Sequence, residues 1–572
     1  MKGRIGVFFV GAALSTLTCP VAWAEHPAWL AEGRHGMVAS DSAEASQAGL
    51  EMLKAGGNAI DAAAAVSFAL GVTRPYSTGL GGGGFMIIRL AEGRTVVLDY
   101  RETAPARATA EMFVEARKRG GVTEYPSRHG HLAVAVPGVL AGQHHALSQF
   151  GTFDLARTVA PAIRLAESGF EIDHHFVASC KEALETYRKY PGLKESGAFI
   201  WKKYLGGGKA PGPGDRLIQP ELAKLLREVA EHGPALFYHG PVAETIDQAM
   251  RRHGGLMTMA DLARYEVKER EALRATYRGY AIITMPPPSS GGIAIAETLN
   301  ILEQFDLRGL ARQDPALAVH FQVEAMKHAF ADRARWLGDA DVASAWVSYL
   351  TSKSYAAGLA KRIDEFHAAG AATYGCSQLP EDSGTSHYCV VDRWGNVVVA
   401  TETINTVFGS LAAIAEWGLI LNNEMDDFSA EPGRANAFNL LQSKRNAPAP
   451  GKRPLSSMAP TIVLQDGEPL LMLGASGGPR IISSVLNVLL CLLEYRLPLD
   501  QAMLQPRPHH QWQPPELYFD SSPLRHVEQG LVNRGHQISK ERKTGIVQVI
   551  LKRPSGWLGA SDPRKGGQPA VY

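Results

Sequence analysis

The chain has no strong bias toward one charge. Its 58 lysines and arginines face 57 aspartates and glutamates, a formal net charge of +1. That balance provides no basic stripe for nucleic acid, and no acidic run marks a solvating tail. Cysteine is scarce. The five residues Cys19, Cys180, Cys376, Cys389 and Cys491 form no C-x-x-C pair and no cysteine–histidine spacing suited to zinc. Cys389 and Cys491 lie in apolar runs and read as small buried hydrophobes, while an exported compartment would permit a Cys180–Cys376 disulfide. Beyond the N-terminal segment no apolar run reaches about eighteen residues, so no membrane-spanning helix is expected there. Tandem repeats and low-complexity tracts are absent. A G-x-S-x-G match does occur at Gly474–Gly478, but a serine triad would have only unsupported partners such as His387 or His509.

What is present begins with a targeting segment. Lys2 and Arg4 precede the apolar stretch Ile5 to Leu17, too short to span a bilayer comfortably, and Ala22-Trp23-Ala24 gives a small-x-small pattern. Residues 1–24 are expected to be a signal peptide, and the mature protein to be exported, periplasmic or secreted. Further on, Gly79-Leu80-Gly81-Gly82-Gly83-Gly84 precedes a strand instead of following one. That order excludes the dinucleotide fingerprint and favours close backbone packing or positive-φ turns. Residues 317–337 form a helical pattern in which Glu324, Lys327, His328, Asp332 and Arg333 read as one polar face with internal ion pairs.

The most informative stretch is Gly384-Thr385-Ser386-His387-Tyr388-Cys389-Val390-Val391-Asp392. The patterning predicts a polar loop, a buried strand, a turn at Trp394-Gly395-Asn396 and a second strand through Thr401. The weakly patterned run 339–382 before it suits a tail ahead of a cleavage point. A cut before Thr385 would create an N-terminal threonine at the head of a core strand. Such a residue is a self-sufficient nucleophile: its hydroxyl attacks and its own α-amine takes the proton.

The motifs that follow are Thr401-Glu402-Thr403-Ile404-Asn405, Leu421-Asn422-Asn423-Glu424-Met425-Asp426-Asp427-Phe428, Pro454-Leu455-Ser456-Ser457-Met458 and Gly474-Ala475-Ser476-Gly477-Gly478. In this order they resemble the γ-glutamyltransferase (γ-glutamyltranspeptidase) family, over nearly all of the mature chain. The resemblance implies an α/β (α+β) fold, a four-layer αββα sandwich of the N-terminal-nucleophile hydrolase type. It implies one intertwined unit built from a large subunit, 25–384, and a small catalytic subunit, 385–572, rather than the several domains the length alone would suggest. It also implies autocleavage between Gly384 and Thr385.

The resemblance further assigns roles. Thr385 is the nucleophile, oriented by Thr403, and the Gly477 and Gly478 amides form the oxyanion hole. Asn405, Glu424 and Asp427 hold the substrate's α-ammonium; Arg101, Ser456 and Ser457 hold its α-carboxylate. The planar guanidinium suits a carboxylate through two-point contact. The expected donor is glutathione or another γ-glutamyl amide, and the acceptor is water, an amino acid or a dipeptide. No metal, organic cofactor or nucleic acid is called for. The segment 429–449, with Phe438, would suit a lid. The loop Leu411 to Trp417 is unusually apolar for the family. Two other readings are a cephalosporin (glutaryl) acylase on the same scaffold and a non-catalytic binding scaffold.

Overall fold

The computed structural model describes residues 26–370, 373, 384–429, 436–437, 444–542 and 545–572, with backbone alone for 341–344. Two seven-stranded antiparallel sheets lie face to face. The first sheet, which carries Thr403 and begins one strand just after Thr385, runs, edge to edge, through Ala570–Val571, Met37–Ser40, Ser386–Val391, Val397–Thr403, Gly83–Arg89, Thr95–Tyr100 and Lys268–Arg270. The second sheet runs through Leu30–Gly33, Gly556–Ser561, Ile546–Arg553, Glu468–Ser476, Thr461–Gln465, Tyr280–Thr284 and Leu273–Tyr277. Helices cover both outer faces. Ala43–Lys54 and Ala59–Thr73 lie on the first sheet, and Gly291–Leu302 and Arg480–Leu489 on the second, with Pro315–Trp336 packed over Gly291–Leu302. The result is the αββα stack expected from the sequence.

Period-2 alternation explains how one strand serves two layers. In Ser386–Val391, Tyr388 and Val390 join the core beneath the first helical layer, whereas Cys389 and Val391 join the core between the sheets. Both faces are covered, so the strand reads as nearly continuous apolar sequence. The helix Ala59–Thr73 is buried on almost every side. Its run of alanines allows the close approach that larger side chains would prevent.

The hairpin prediction holds: Ser386–Val391 pairs with Val397–Thr403 in the register His387↔Thr401. Gly82 shows why the glycine run is there, because a Cβ at this position would lie 1.9 Å from the Thr403 carbonyl oxygen. The glycines bring the backbone of one strand against the loop that carries the site.

Some expectations fail. The apolar run 134–136, which the patterning would read as a strand, makes only an isolated bridge from Val136 to Thr103, after a short 3-10 turn. Pro137 supplies no amide hydrogen to extend that bridge. The polar residues of Pro315–Trp336 do not form a solvated face, since Glu324, Lys327, His328 and Arg333 are all buried. Glu324 and Lys327 do pair, but Arg333 has no ion pair on its helix. The apolar loop is apolar because it is covered. Leu411, Ala412, Ile414 and Trp417 are buried, and the segment packs under the helices Pro220–His232 and Pro241–His253. Cys180, Cys389 and Cys491 are buried free thiols. Cys19, Cys376 and residues 1–24 lie outside the described residues.

Candidate active site

Thr385 sits immediately before the interior strand Ser386–Val391 and is buried. Its Oγ1 donates to the Gly384 carbonyl at 2.5 Å and lies 3.1 Å from Thr403 Oγ1. Thr403, at the end of the neighbouring strand, donates to the same carbonyl at 2.6 Å and accepts from the Asn405 amide at 2.8 Å. Two hydroxyls therefore converge on the one carbonyl preceding the threonine. The turn that follows is sharp. Asn405 takes a left-handed φ of +79°, and its Nδ2 donates to the Asn423 carbonyl at 3.0 Å. That contact ties the nucleophile hairpin to the segment carrying Glu424 and Asp427.

Glu424 and Asp427 lie in one short 3-10 turn. Both carboxylates grip the fully buried guanidinium of Arg101, Glu424 at Nη1 and Asp427 at Nη2, while Arg101 Nε donates to the Pro454 carbonyl at 3.3 Å. Glu102 adds a third carboxylate, 3.7 Å from Arg101 Nη1. Burial pushes the Glu102 and Glu424 carboxyls up against the opposing pull of Arg101. Three acidic groups crowd one guanidinium in a dry site, where an additional cation would be favoured. The carboxylate-binding and ammonium-binding residues expected from the sequence are thus in direct contact with one another here, instead of forming two separate subsites.

Ser456 and Ser457 follow Pro454 on a loop that bridges to Ser289, and both are buried. Ser457 Oγ lies 3.5 Å from Arg333 Nη2. Gly477 and Gly478 leave the strand Glu468–Ser476 with φ of +122° and +54°, conformations that favour glycine. Their carbonyls accept from Arg480 and Ile481 at the head of the next helix, while neither amide N–H donates among the described residues. Phe438 and most of 429–449 lie outside the described residues. Two described residues of that stretch contact the acidic turn, Ala437 N donating to Asp426 at 2.5 Å and Asn446 Nδ2 to the Asp427 carbonyl at 2.7 Å.

Several neighbours were not foreseen. Lys565, close to the C-terminus, is buried and donates to the Thr385 carbonyl at 3.1 Å and to Asp41 at 2.6 Å. Glu402, next to Thr403, is buried and accepts from Ser67, Gln143, Tyr100 and Tyr388. Burial raises its pKa. In sequence, both looked like ordinary charges on a strand and a tail. His387 and His509 are buried among Thr401, Cys389, Ser483 and Gln511 with no carboxylate partner among the described residues, which fits no serine triad. One histidine–carboxylate group, His320, Glu324 and His536, could in principle hold a metal. Its atoms are already engaged: His320 with His536 at 2.8 Å, and Glu324 with the Lys327 ammonium at 2.6 Å.

The gamma-glutamyltranspeptidase family model matches residues 45–572. The chain belongs to that family. It is 43% identical, over 93% of its length and 90% of the relative's, to a glutathione hydrolase proenzyme from Escherichia coli K12. It is also 40% identical, over 95% and 94%, to an acylase ACY 1 proenzyme from Pseudomonas sp. SE83. In three dimensions it superimposes on the crystal structure of cephalosporin acylase from Bacillus halodurans with a TM-score of 0.85, at 28% identity over 98% and 99% of the two chains. Gamma-glutamyltranspeptidase relatives and acylase relatives thus share this scaffold. Any distinction between them must come from the substrate cluster, not from the fold.

Proposed function

We propose that this chain is a self-processing γ-glutamyltransferase and glutathione hydrolase, exported and cleaved before Thr385 into large and small subunits. In the precursor, Thr385 Oγ attacks the Gly384 carbonyl carbon. The C–N bond breaks as the Thr385 nitrogen takes a proton, leaving an ester that water then hydrolyses. The freed α-amine serves as general base, since its ordinary pKa of about 7.7–8.0 leaves a usable neutral fraction near neutrality. It takes the Oγ proton as Oγ attacks the donor's γ-carbonyl, and the Gly477 and Gly478 amides face the developing oxyanion. The leaving amine departs with that proton. Water or an amino-acid acceptor then releases the γ-glutamyl group from Thr385.

The observation that carries this reading is the joining of Thr385–Thr403 to the Arg101–Glu424–Asp427 cluster through Asn405. A nucleophile adjoins a buried charged site suited to an α-amino-acid end. The acylase reading is favoured by the acylase relatives named above. It is disfavoured by the surplus of buried carboxylate, because a glutaryl group brings no ammonium to answer it. Purified wild type and Thr385→Ala, assayed together by intact mass and by release of glutamate from glutathione, test the reading. The wild type should split before Thr385 and release glutamate, and the variant should do neither. Cleavage with turnover of glutaryl amides alone would favour the acylase.

A further inference from the structure

Two buried guanidiniums lie near the acidic turn, and they differ in what they have left to give. All three nitrogen positions of Arg101 are engaged: Nη1 by Glu424, Nη2 by Asp427 and Nε by the Pro454 carbonyl. Arg333, on the last turn of Pro315–Trp336, is only 2% exposed. Its Nε donates to Ser290 Oγ at 2.8 Å and its Nη2 reaches Ser457 Oγ at 3.5 Å. Its Nη1 is buried and meets no acceptor, and no carboxylate pairs with it among the described residues. Burying a guanidinium without an anion is costly, and a site that does so is complete only when an anion arrives.

The neighbouring cluster is acidic: Glu102, Glu424 and Asp427 all lie against the Arg101 guanidinium. Asp427 and Arg101 are near enough to Arg333 to act on its charge: burial lowers its pKa to about 10, Asp427 opposes that and Arg101 adds to it. A spare guanidinium N–H close to an acidic cluster matches the two charges of a free α-amino-acid end.

We infer that Arg333 binds the α-carboxylate of the γ-glutamyl donor together with Ser457, alongside Arg101, and thereby selects donors whose α-carboxylate is free. The inference rests on the γ-glutamyl reading above for the identity of the ligand. Arg101 then serves in large part to hold Glu424 and Asp427 in place. Arg333 supplies the spare N–H groups that a planar two-point contact needs. The Ser290 contact fixes the guanidinium plane before substrate arrives.

The test measures binding of L-glutamate and of its α-amide by calorimetry on the processed wild type, Arg333→Met and Arg333→Lys, with intact mass reporting processing of each. Wild type should prefer L-glutamate to the α-amide. Arg333→Met should still be processed, should bind L-glutamate ~10–100-fold more weakly and should lose most of that preference, the loss expected for a hydrogen bond to a charged group. Arg333→Lys should recover part of it. A purely structural role would weaken both ligands alike, and an unchanged preference in Arg333→Met overturns the inference. If Arg333→Met is not processed, Arg333→Lys decides, and an undiminished preference there with a fully processed chain also overturns it. If the wild type binds L-glutamate with this preference yet cleaves no γ-glutamyl amide, the reaction reading fails and the carboxylate site stands. If it cleaves γ-glutamyl amides without preferring L-glutamate, the carboxylate site fails and the reaction reading stands.

Discussion

Thr403 Oγ1 donates a hydrogen bond to the Gly384 carbonyl oxygen at 2.6 Å while lying 3.1 Å from Thr385 Oγ1. One hydroxyl thus touches both the carbonyl and the hydroxyl that the proposed cleavage would join. It can steady charge developing on the carbonyl oxygen and hold the nucleophile beside it. Thr403→Val keeps the β-branched shape and removes the hydroxyl. Processing should slow by about 100-fold, the cost of losing one donor to a developing oxyanion. Thr403→Ser should stay within about ten-fold of wild type. The appearance of the fragment beginning at Thr385, followed by mass spectrometry, measures both.

Gly82 approaches the same threonine from the other side. The Cβ of Gly82→Ala would meet the Thr403 carbonyl oxygen at 1.9 Å, so the backbone has to move. We expect a loss of at least about 2 kcal/mol in stability and slower processing, because the displaced residue is the one that orients Thr385. A melting temperature equal to wild type with normal processing would contradict this account of the glycine run.

Glu102 gives a pH prediction. Burial, opposed by Arg101, raises its carboxyl pKa to about 7, against about 4.3 in an unfolded chain. Between those values the folded state holds the extra proton, so the contribution to stability is full below about 4.3 and is lost as pH rises through about 7. Glu102→Gln removes the titrating group. Its melting temperature relative to wild type should therefore be more favourable at pH 8 than at pH 5. Equal differences at the two pH values would show that the carboxyl does not titrate there.

Lys565 and Asp41 form a buried ion pair at 2.6 Å, and the lysine also holds the Thr385 carbonyl. Lys565→Met leaves the buried Asp41 carboxylate without its cation and with Gln548 Nε2 as a remaining donor at 2.6 Å, a loss of about 3 kcal/mol. Adding Asp41→Asn should restore part of the melting temperature. It should not restore normal processing, since the contact to Thr385 stays broken. Full recovery of both in the double variant would limit the lysine's role to charge balance.

The parts of this molecule legible in its sequence follow simple periodicities. The hairpin around Trp394-Gly395-Asn396 was readable because β-branched residues alternate between two cores, and the Gly79–Gly84 run because its order excludes a phosphate loop. The motifs placed Thr385, Thr403, Glu424 and Asp427 in the sequence, and the fold brings them into one chain of contacts. Arg333 was misread because helical spacing shows which residues share a face, not whether that face meets water or buried loops such as those of Ser290 and Ser457. Lys565 and Asp41 lie at opposite ends of the chain, and nothing local to either predicts that they meet at the nucleophile. The resemblance gave Arg101 a ligand but not its protein partners, because Glu424 and Asp427 stand more than three hundred residues away.

The first sheet interleaves the two sides of the Gly384–Thr385 bond. Met37–Ser40 and Gly83–Arg89 flank the pair Ser386–Val391 and Val397–Thr403, and the second sheet encloses the later strands between Leu30–Gly33 and Tyr280–Thr284. Hydrolysis of that bond would add two chain ends and leave every ladder intact. Neither fragment could leave without stripping the edges of both sheets, each a row of unpaired amides and carbonyls in a dry interior. The halves of one molecule would stay with each other for its lifetime and could not trade places with the halves of another. A damaged small fragment could not be replaced by a fresh one; the whole pair would have to be made again from a new precursor.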